Sequence, residues 1–169
     1  MRMTKAILSV MLLGIIFWSQ NGLATDLPPV TGDTWFNSKP LSDQDLKNHV
    51  VLVFFWTFGC HNCKAVEPYV KQWYQRYATN GLTVIAIHSP EFNYEQKPKN
   101  VQSYITRNGL TYPVVLDNDF TNWTRFSNHY WPTIYLADRN GKIVYKKIGE
   151  GDYRETERQI QDLLKESST

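Results

Sequence analysis

The chain has 169 residues, 14% of them aromatic, and a formal net charge of +2. Two of its 18 basic residues, Arg2 and Lys5, lie in the first 24 positions with no acid beside them, which leaves 16 Lys and Arg against 16 Asp and Glu in the remainder. A neutral remainder of about 145 residues is long enough to bury one core without staples, and it excludes an electrostatic case for nucleic acid or an anionic membrane as partner.

Residues 1–24 read as an export signal. Arg2 and Lys5 give a positive start, residues 6–18 are apolar, and Gly22-Leu23-Ala24 offers a small-residue cleavage site after Ala24. The apolar run is shorter than the roughly 20 residues needed to span a bilayer, although a retained anchor is the alternative. It holds no cysteine for lipid attachment. The mature part, 25–169, is then expected to be periplasmic or secreted, where disulfides persist.

Residues 25–34, with Pro28, Pro29 and Gly32, read as a loop. Trp35-Phe36 starts a short strand, and residues 42–46 form one helical turn. The run HVVLVFFWT (49–57) is apolar without alternation, as in a central strand buried on both faces. Residues 64–77 carry Val66, Val70, Trp73 and Tyr77 at helical spacing, with Pro68 as a kink. LTVIAIH (82–88) is the next buried strand. A polar loop, SPEFNYEQKPK, leads to a helix over 100–107 that Asn108-Gly109 closes. YPVVLD is a third strand, and residues 120–128 are helical. PTIYLAD and KIVYKKIG form a hairpin about Asn140-Gly141, and 152–165 is the last helix. Strands alternating with helices predict an α/β fold with a central mixed sheet flanked by helices on both faces.

Cys60 and Cys63, in Cys60-His61-Asn62-Cys63, are the only cysteines. Haem attachment needs histidine directly after the second cysteine, and Lys64 stands there. Structural zinc takes four ligands, and only His61 is near. A staple across two residues constrains the unfolded chain little. A redox pair fits the setting better: the first cysteine at a helix start gains thiolate character from unpaired N–H groups and the macrodipole. The second, one turn later, is more shielded.

The stretch VLVFFWTFGCHNCKAVEP resembles the thioredoxin superfamily. Phe55-Trp56 precedes the motif, Pro68 follows Cys63 by five residues, and Trp131-Pro132-Thr133 is similar to the family's cis-proline loop. AIHSPEF, YPVVLDND, YWPTIYLADRNGKIVY and GEGDYRETE resemble the thioredoxin-like domain of the DipZ group, within the TlpA/ResA-like branch, over about residues 33–165. The resemblance implies a freestanding thioredoxin fold with a loop, helix and strand inserted between Ile87 and Val114. It implies a thiol-disulfide oxidoreductase without separate cofactor or metal. The Cys60 thiolate attacks a substrate disulfide and Cys63 resolves the intermediate. Its partners are disulfide-containing proteins and a membrane or soluble thiol donor, and the chain is expected to be a monomer.

Thioredoxin's buried acid, six residues before the first cysteine, is replaced here by Phe54. The branch places a glutamate after the second main strand, beneath the cysteines. Glu91 matches that place, and its alternative is a solvated loop acid. Trp56, His61, Trp131 and Pro132 are the expected substrate-facing residues, with core packing the alternative for Trp56 and an exposed spacer the alternative for His61. Pro132 is expected to be cis. His88 and His129 read as structural or exposed, the aromatics between Trp123 and Trp131 as core, with a sugar or peptide platform the alternative, and Asn122-Trp123-Thr124 as a formal glycosylation sequon.

Rival readings share the residues. An oxidase or isomerase differs in reduction potential. A binding module with an inert disulfide predicts reduction only after unfolding. A peroxide-reducing enzyme finds Thr57 three residues before Cys60 but lacks the proline-rich loop.

Overall fold

Strand β3 (Val50–Trp56) is buried at all seven positions and forms the axis of the computed structural model, which describes residues 25–166. The continuous apolar run permits this, because strands alternate their side chains and both faces here are apolar. Val50, Leu52, Phe54 and Trp56 enter one core cluster, while Val51, Val53 and Phe55 enter the other. Parallel to β3 runs β4 (Leu82–His88), with Trp56 opposite His88. On its other side β6 (Thr133–Ala137) runs antiparallel, with Phe55 opposite Thr133. Four shorter or outer strands complete the sheet: β1 (Thr25–Asp26), β2 (Trp35–Phe36), β5 (Val114–Leu116) and β7 (Lys142–Ile148). The order is β1-β7-β6-β3-β4-β5-β2.

Helices cover both faces. On the first, α2 (His61–Tyr77), α3 (Pro98–Asn108) and α5 (Tyr153–Lys165) contribute Val66, Val70, Trp73, Val101, Ile105, Ile160 and Leu163 to the core. On the second, α1 (Asp43–Leu46) and α4 (Thr121–Arg125) bring Leu46 and Trp123 against the core. Each large apolar side chain buried there contributes about 1.5–3 kcal/mol. This is the thioredoxin architecture that the sequence leads one to expect, with the 3-10 turn Asn93–Gln96 and α3 inside the expected insertion and β5 starting at its far boundary.

Several bounds differ from expectation. Thr25-Asp26, expected as loop, adds a strand to β7, with Thr25 opposite Ile143. Helix α2 begins at His61, because Cys60 serves as its N-cap. Proline at the first position of α3 suits a helix start, where no N–H is needed. Gly109 closes that helix in the left-handed region at φ 59°. Helix α4 is shorter than expected. Ser127, at φ 45°, has left the helical region, and Asn128 donates to Trp123 O. In the β6–β7 hairpin, Asp138 Oδ1 accepts the Asn140 and Lys142 N–H groups. Arg139, beside that turn, donates to Asn48 O, Leu164 O and Glu166 O and so satisfies carbonyls at the end of α5.

The sequon residue Asn122 is buried. Its amide bonds Thr31 and Asp117, so the folded protein does not present it. Residues 1–24, where the export signal is expected, lie outside the described residues. No helix among the described residues is long and apolar enough to cross a membrane.

Candidate active site

Three loops meet at one end of the sheet because of strand register. β3 and β4 end there and β6 begins there, since Trp56 pairs with His88 and Phe55 with Thr133. The loop after β3 carries the cysteines, which are joined in a disulfide with Cα atoms 5.3 Å apart. Their environments differ. Cys60 is partly exposed at the N-cap of α2, and its sulfur accepts the Cys63 N–H at 3.1 Å. Cys63, inside the first turn, is 1% exposed.

The loop after β4 supplies a clamp. Glu95 is fully buried and its carboxylate accepts three backbone N–H groups: Gly59 at 2.7 Å, Glu91 at 2.7 Å and Phe92 at 2.9 Å. It thereby ties the residue before Cys60 to the inserted segment. Glycine at position 59 permits this approach, since a Cβ there would sit 2.3 Å from Glu95 Oε1 and force the carboxylate to shift. Glu91, expected to be partly buried beneath the cysteines, is exposed instead. The loop turns so that Glu91 contributes its N–H while the carboxylate four residues later points inward. The glycine directly before Cys60 was the available signal for such a close approach.

Beneath the clamp, His88 is buried against Trp56, with ring centroids 5.1 Å apart and planes at 85°. Its Nε2 accepts the Phe58 N–H at 3.4 Å and lies 3.3 Å from Thr57 Oγ1, so the ring proton belongs on Nδ1. Burial drives this imidazole down to about 4, against the opposing pull of the Glu95 carboxylate. Trp56, expected to face substrate, is 1% exposed and packs among Phe54, His88 and Tyr104. The inserted helix α3 supplies Tyr104 and closes that face.

A second buried acid, Glu67, escapes the apolar periodicity yet falls on the buried face of α2, one turn after Cys63. Burial raises its pKa. The Tyr104 hydroxyl, Lys71 and Lys64 draw it back down, and Oε2 has no hydrogen-bond partner among the described residues.

The third loop precedes β6. The Trp131–Pro132 bond is cis. Pro132 is buried, Trp131 is partly exposed, and Trp131 Nε1 donates to Ser89 O at 3.0 Å. Ser89 in turn donates to Asp117, which accepts the Asn122 and Trp123 N–H groups at the start of α4. Trp123 lies 4.3 Å from Trp131 between ring centroids. Trp123 and Phe126 pack against the core, as expected for this aromatic stretch, whereas Tyr130 is 57% exposed. His61 and His129 are exposed.

Residues 24–164 match the Redoxin family. The chain belongs to that family. Protein DipZ of Mycobacterium bovis is 42% identical over 149 residues, which cover 86% of this chain and 21% of DipZ. The thiol-disulfide oxidoreductase YkuV of Bacillus subtilis is 26% identical over 146 residues, covering 86% of this chain and 98% of YkuV. The solution structure of a thioredoxin-like protein in its oxidised form superposes with a TM-score of 0.77 at 26% identity, covering 87% of this chain and 99% of that one. This Redoxin-family chain is similar to TlpA/ResA-like thiol-disulfide oxidoreductases and spans only about a fifth of the length of DipZ.

Two measurements check the Redoxin site. Glu95→Gln replaces an oxygen acceptor by an N–H donor that faces backbone N–H groups. It should lower unfolding free energy by about 2–3 kcal/mol in urea, whereas Glu91→Gln, at an exposed side chain, should change it by less than about 0.5 kcal/mol. Equal losses would place the clamp elsewhere. The second concerns His88, which stays neutral in the fold where an unfolded histidine protonates near about 6.5. Its contribution is therefore fully present above about 6.5 and is lost as pH falls towards about 4, on the order of 3 kcal/mol. Stability in that window should fall more steeply in the wild type than in His88→Gln, and parallel profiles would refute the assignment.

Proposed function

We propose that the protein is exported and reduces protein disulfides with the Cys60–Cys63 couple. The observation that carries this reading is the asymmetry of the pair: Cys60 is partly exposed at a helix start and Cys63 is buried one turn inside. In the reduced enzyme the Cys60 thiolate attacks one substrate sulfur, and the other leaves as a thiolate and takes up a proton. The buried Cys63 thiol gives up its proton and attacks the Cys60 sulfur. The substrate departs as a dithiol and the enzyme is left oxidised. A thiol donor, soluble or in the membrane, then restores the dithiol. The N-terminal signal, residues 1–24, delivers a monomeric mature domain, 25–169, to the periplasm or the exterior. Trp131, with Pro132 behind it, and the exposed His61 flank the arriving segment.

Direction follows from charge. The start of α2 favours the thiolate and hence the oxidising character of the couple. The Glu95 carboxylate, bonded to the residue before Cys60, opposes it, and so does the apolar packing of Phe58 and Trp56. His61 is solvated and adds little. The balance favours a reductant.

Glu67, rather than the exposed Glu91 that the resemblance places beneath the cysteines, acts as proton acceptor for Cys63. Groups four residues apart on a helix face have Cβ atoms about 5–6 Å apart, and the raised pKa suits a group that must hold a proton briefly.

The decisive experiment is insulin reduction with dithiothreitol as donor. Cys60→Ser should abolish it, and Cys63→Ser should retain alkylation of Cys60 and accumulate mixed disulfides. Equilibration with a dithiothreitol or glutathione buffer should place the couple nearer about −270 mV than about −120 mV. A value at the oxidising end would make the enzyme an oxidase. A pair that is reduced only in denaturant would make it an inert disulfide.

Glu67→Gln should slow resolution of the mixed disulfide about tenfold or more and flatten its pH dependence. It should also raise stability at pH 7, because the ionised form of a carboxyl whose pKa is raised by burial is the costly one. Unchanged resolution kinetics would confine Glu67 to packing.

A further inference from the structure

Beside the disulfide lies a cleft of about 750 Å³ that the exchange reaction itself does not use. Phe58, two residues before Cys60, and Tyr94 line one side, with ring centroids 5.6 Å apart. The other side is one face of α3, with Lys99, Ser103 and Arg107 at helical spacing. Val101 and Ile105, on the opposite face of that helix, are buried in the core, so the polar face is held in place.

Three properties limit what can bind there. The lining is basic: Lys99 and Arg107 are in the wall, no acid is, and neither residue forms an ion pair among the described residues. It is also aromatic at its rim, where Phe92 and Tyr94 are 49% and 48% exposed and stack 5.6 Å apart with planes at 6°. Finally, the cleft is long. Lys99 and Arg107 are eight residues apart on α3, about 12 Å at 1.5 Å per residue, the span of about four extended residues. The Glu95 clamp fixes this cleft relative to the nucleophile, because one carboxylate bonds both Gly59 and Phe92.

The geometry points to a specificity subsite for the polypeptide that flanks the substrate cysteine, selecting an acidic side chain with an apolar or aromatic neighbour. This rests on the disulfide-exchange reading above. The aromatic rim takes the apolar neighbour, and Lys99 and Arg107 take the carboxylate. A span of about four extended residues, a basic wall with no acid in it, and the closeness of Tyr94 to Gly59 identify the occupant as an acidic chain segment.

The test uses the full-length enzyme and a set of peptide disulfides identical except for Glu, Gln or Lys walked along both flanks of one cysteine. The reading is the ratio of kcat/KM for the Glu peptide to that for the Lys peptide, carried in KM. Wild type should favour Glu by about tenfold at low ionic strength at one or two adjacent positions, and the preference should shrink with salt. In the Lys99→Glu, Arg107→Glu double variant the ratio should invert. Because each ratio is taken within one protein, a change in folding or redox potential cancels. A wild-type ratio near one at every position, or a ratio that the double variant preserves, overturns the subsite while leaving exchange intact. Failure of wild type to reduce any peptide would instead strike the exchange reading.

Discussion

The Glu95 carboxylate is where backbone, redox loop and inserted segment are joined. A buried carboxylate is tolerable only with its lone pairs satisfied, and here three backbone N–H groups do so. That requirement dictates the local sequence. Glycine at residue 59 leaves room for the carboxylate, which a Cβ would displace. The segment after β4 must fold back so that Glu91 and Phe92 offer their N–H groups and their side chains turn outward. The position of Phe92 and Tyr94 beside the disulfide follows from the same three hydrogen bonds. One ion thus orders the approach to Cys60 and the surface next to it.

Under this polar junction the packing is dense and apolar. Where thioredoxin carries an acid, Phe54 stacks on Trp56 with centroids 6.3 Å apart, and His88 fills the remaining space in its neutral form. The molecule therefore keeps charge beneath the disulfide off β3. It places one acid on the inserted loop and another, Glu67, on the helix that carries the cysteines. The two differ in how their oxygens are engaged. Glu95 has both oxygens engaged, whereas Glu67 retains an oxygen without a partner.

The sequence made the frame legible and the junction obscure. The uninterrupted run 49–57 identified the central strand because burial on both faces removes alternation, and β3 is indeed buried throughout. Cys60 and Cys63 stood out through spacing and setting alone. The start of α2 was less visible, since His61 and Asn62 add nothing to an apolar period and the cap is a sulfur. Two glutamates stand in one irregular loop, and no periodicity tells which points inward. The choice fell to Glu95 through a hydrogen bond from Gly59, 36 positions away, together with two from its own loop. For Trp56 the sequence leaves core packing and substrate contact both open, because the end of a strand is open unless something covers it; the cover, Tyr104, comes from a helix whose packing no local pattern reveals. Two-residue β1 follows no pattern of its own; it exists because β7 offers an edge.

That small strand has a geometric consequence. Thr25 pairs with Ile143 near the hairpin turn, at the pole of the sheet opposite the ends of β3 and β4. Arg139, at the same pole, holds the end of α5 through Leu164 O and Glu166 O. Both ends of the domain are thus moored on the side away from the sulfur atoms. A label or bead joined directly at Thr25 therefore grips the domain by its base and leaves the disulfide on the far, unobstructed pole.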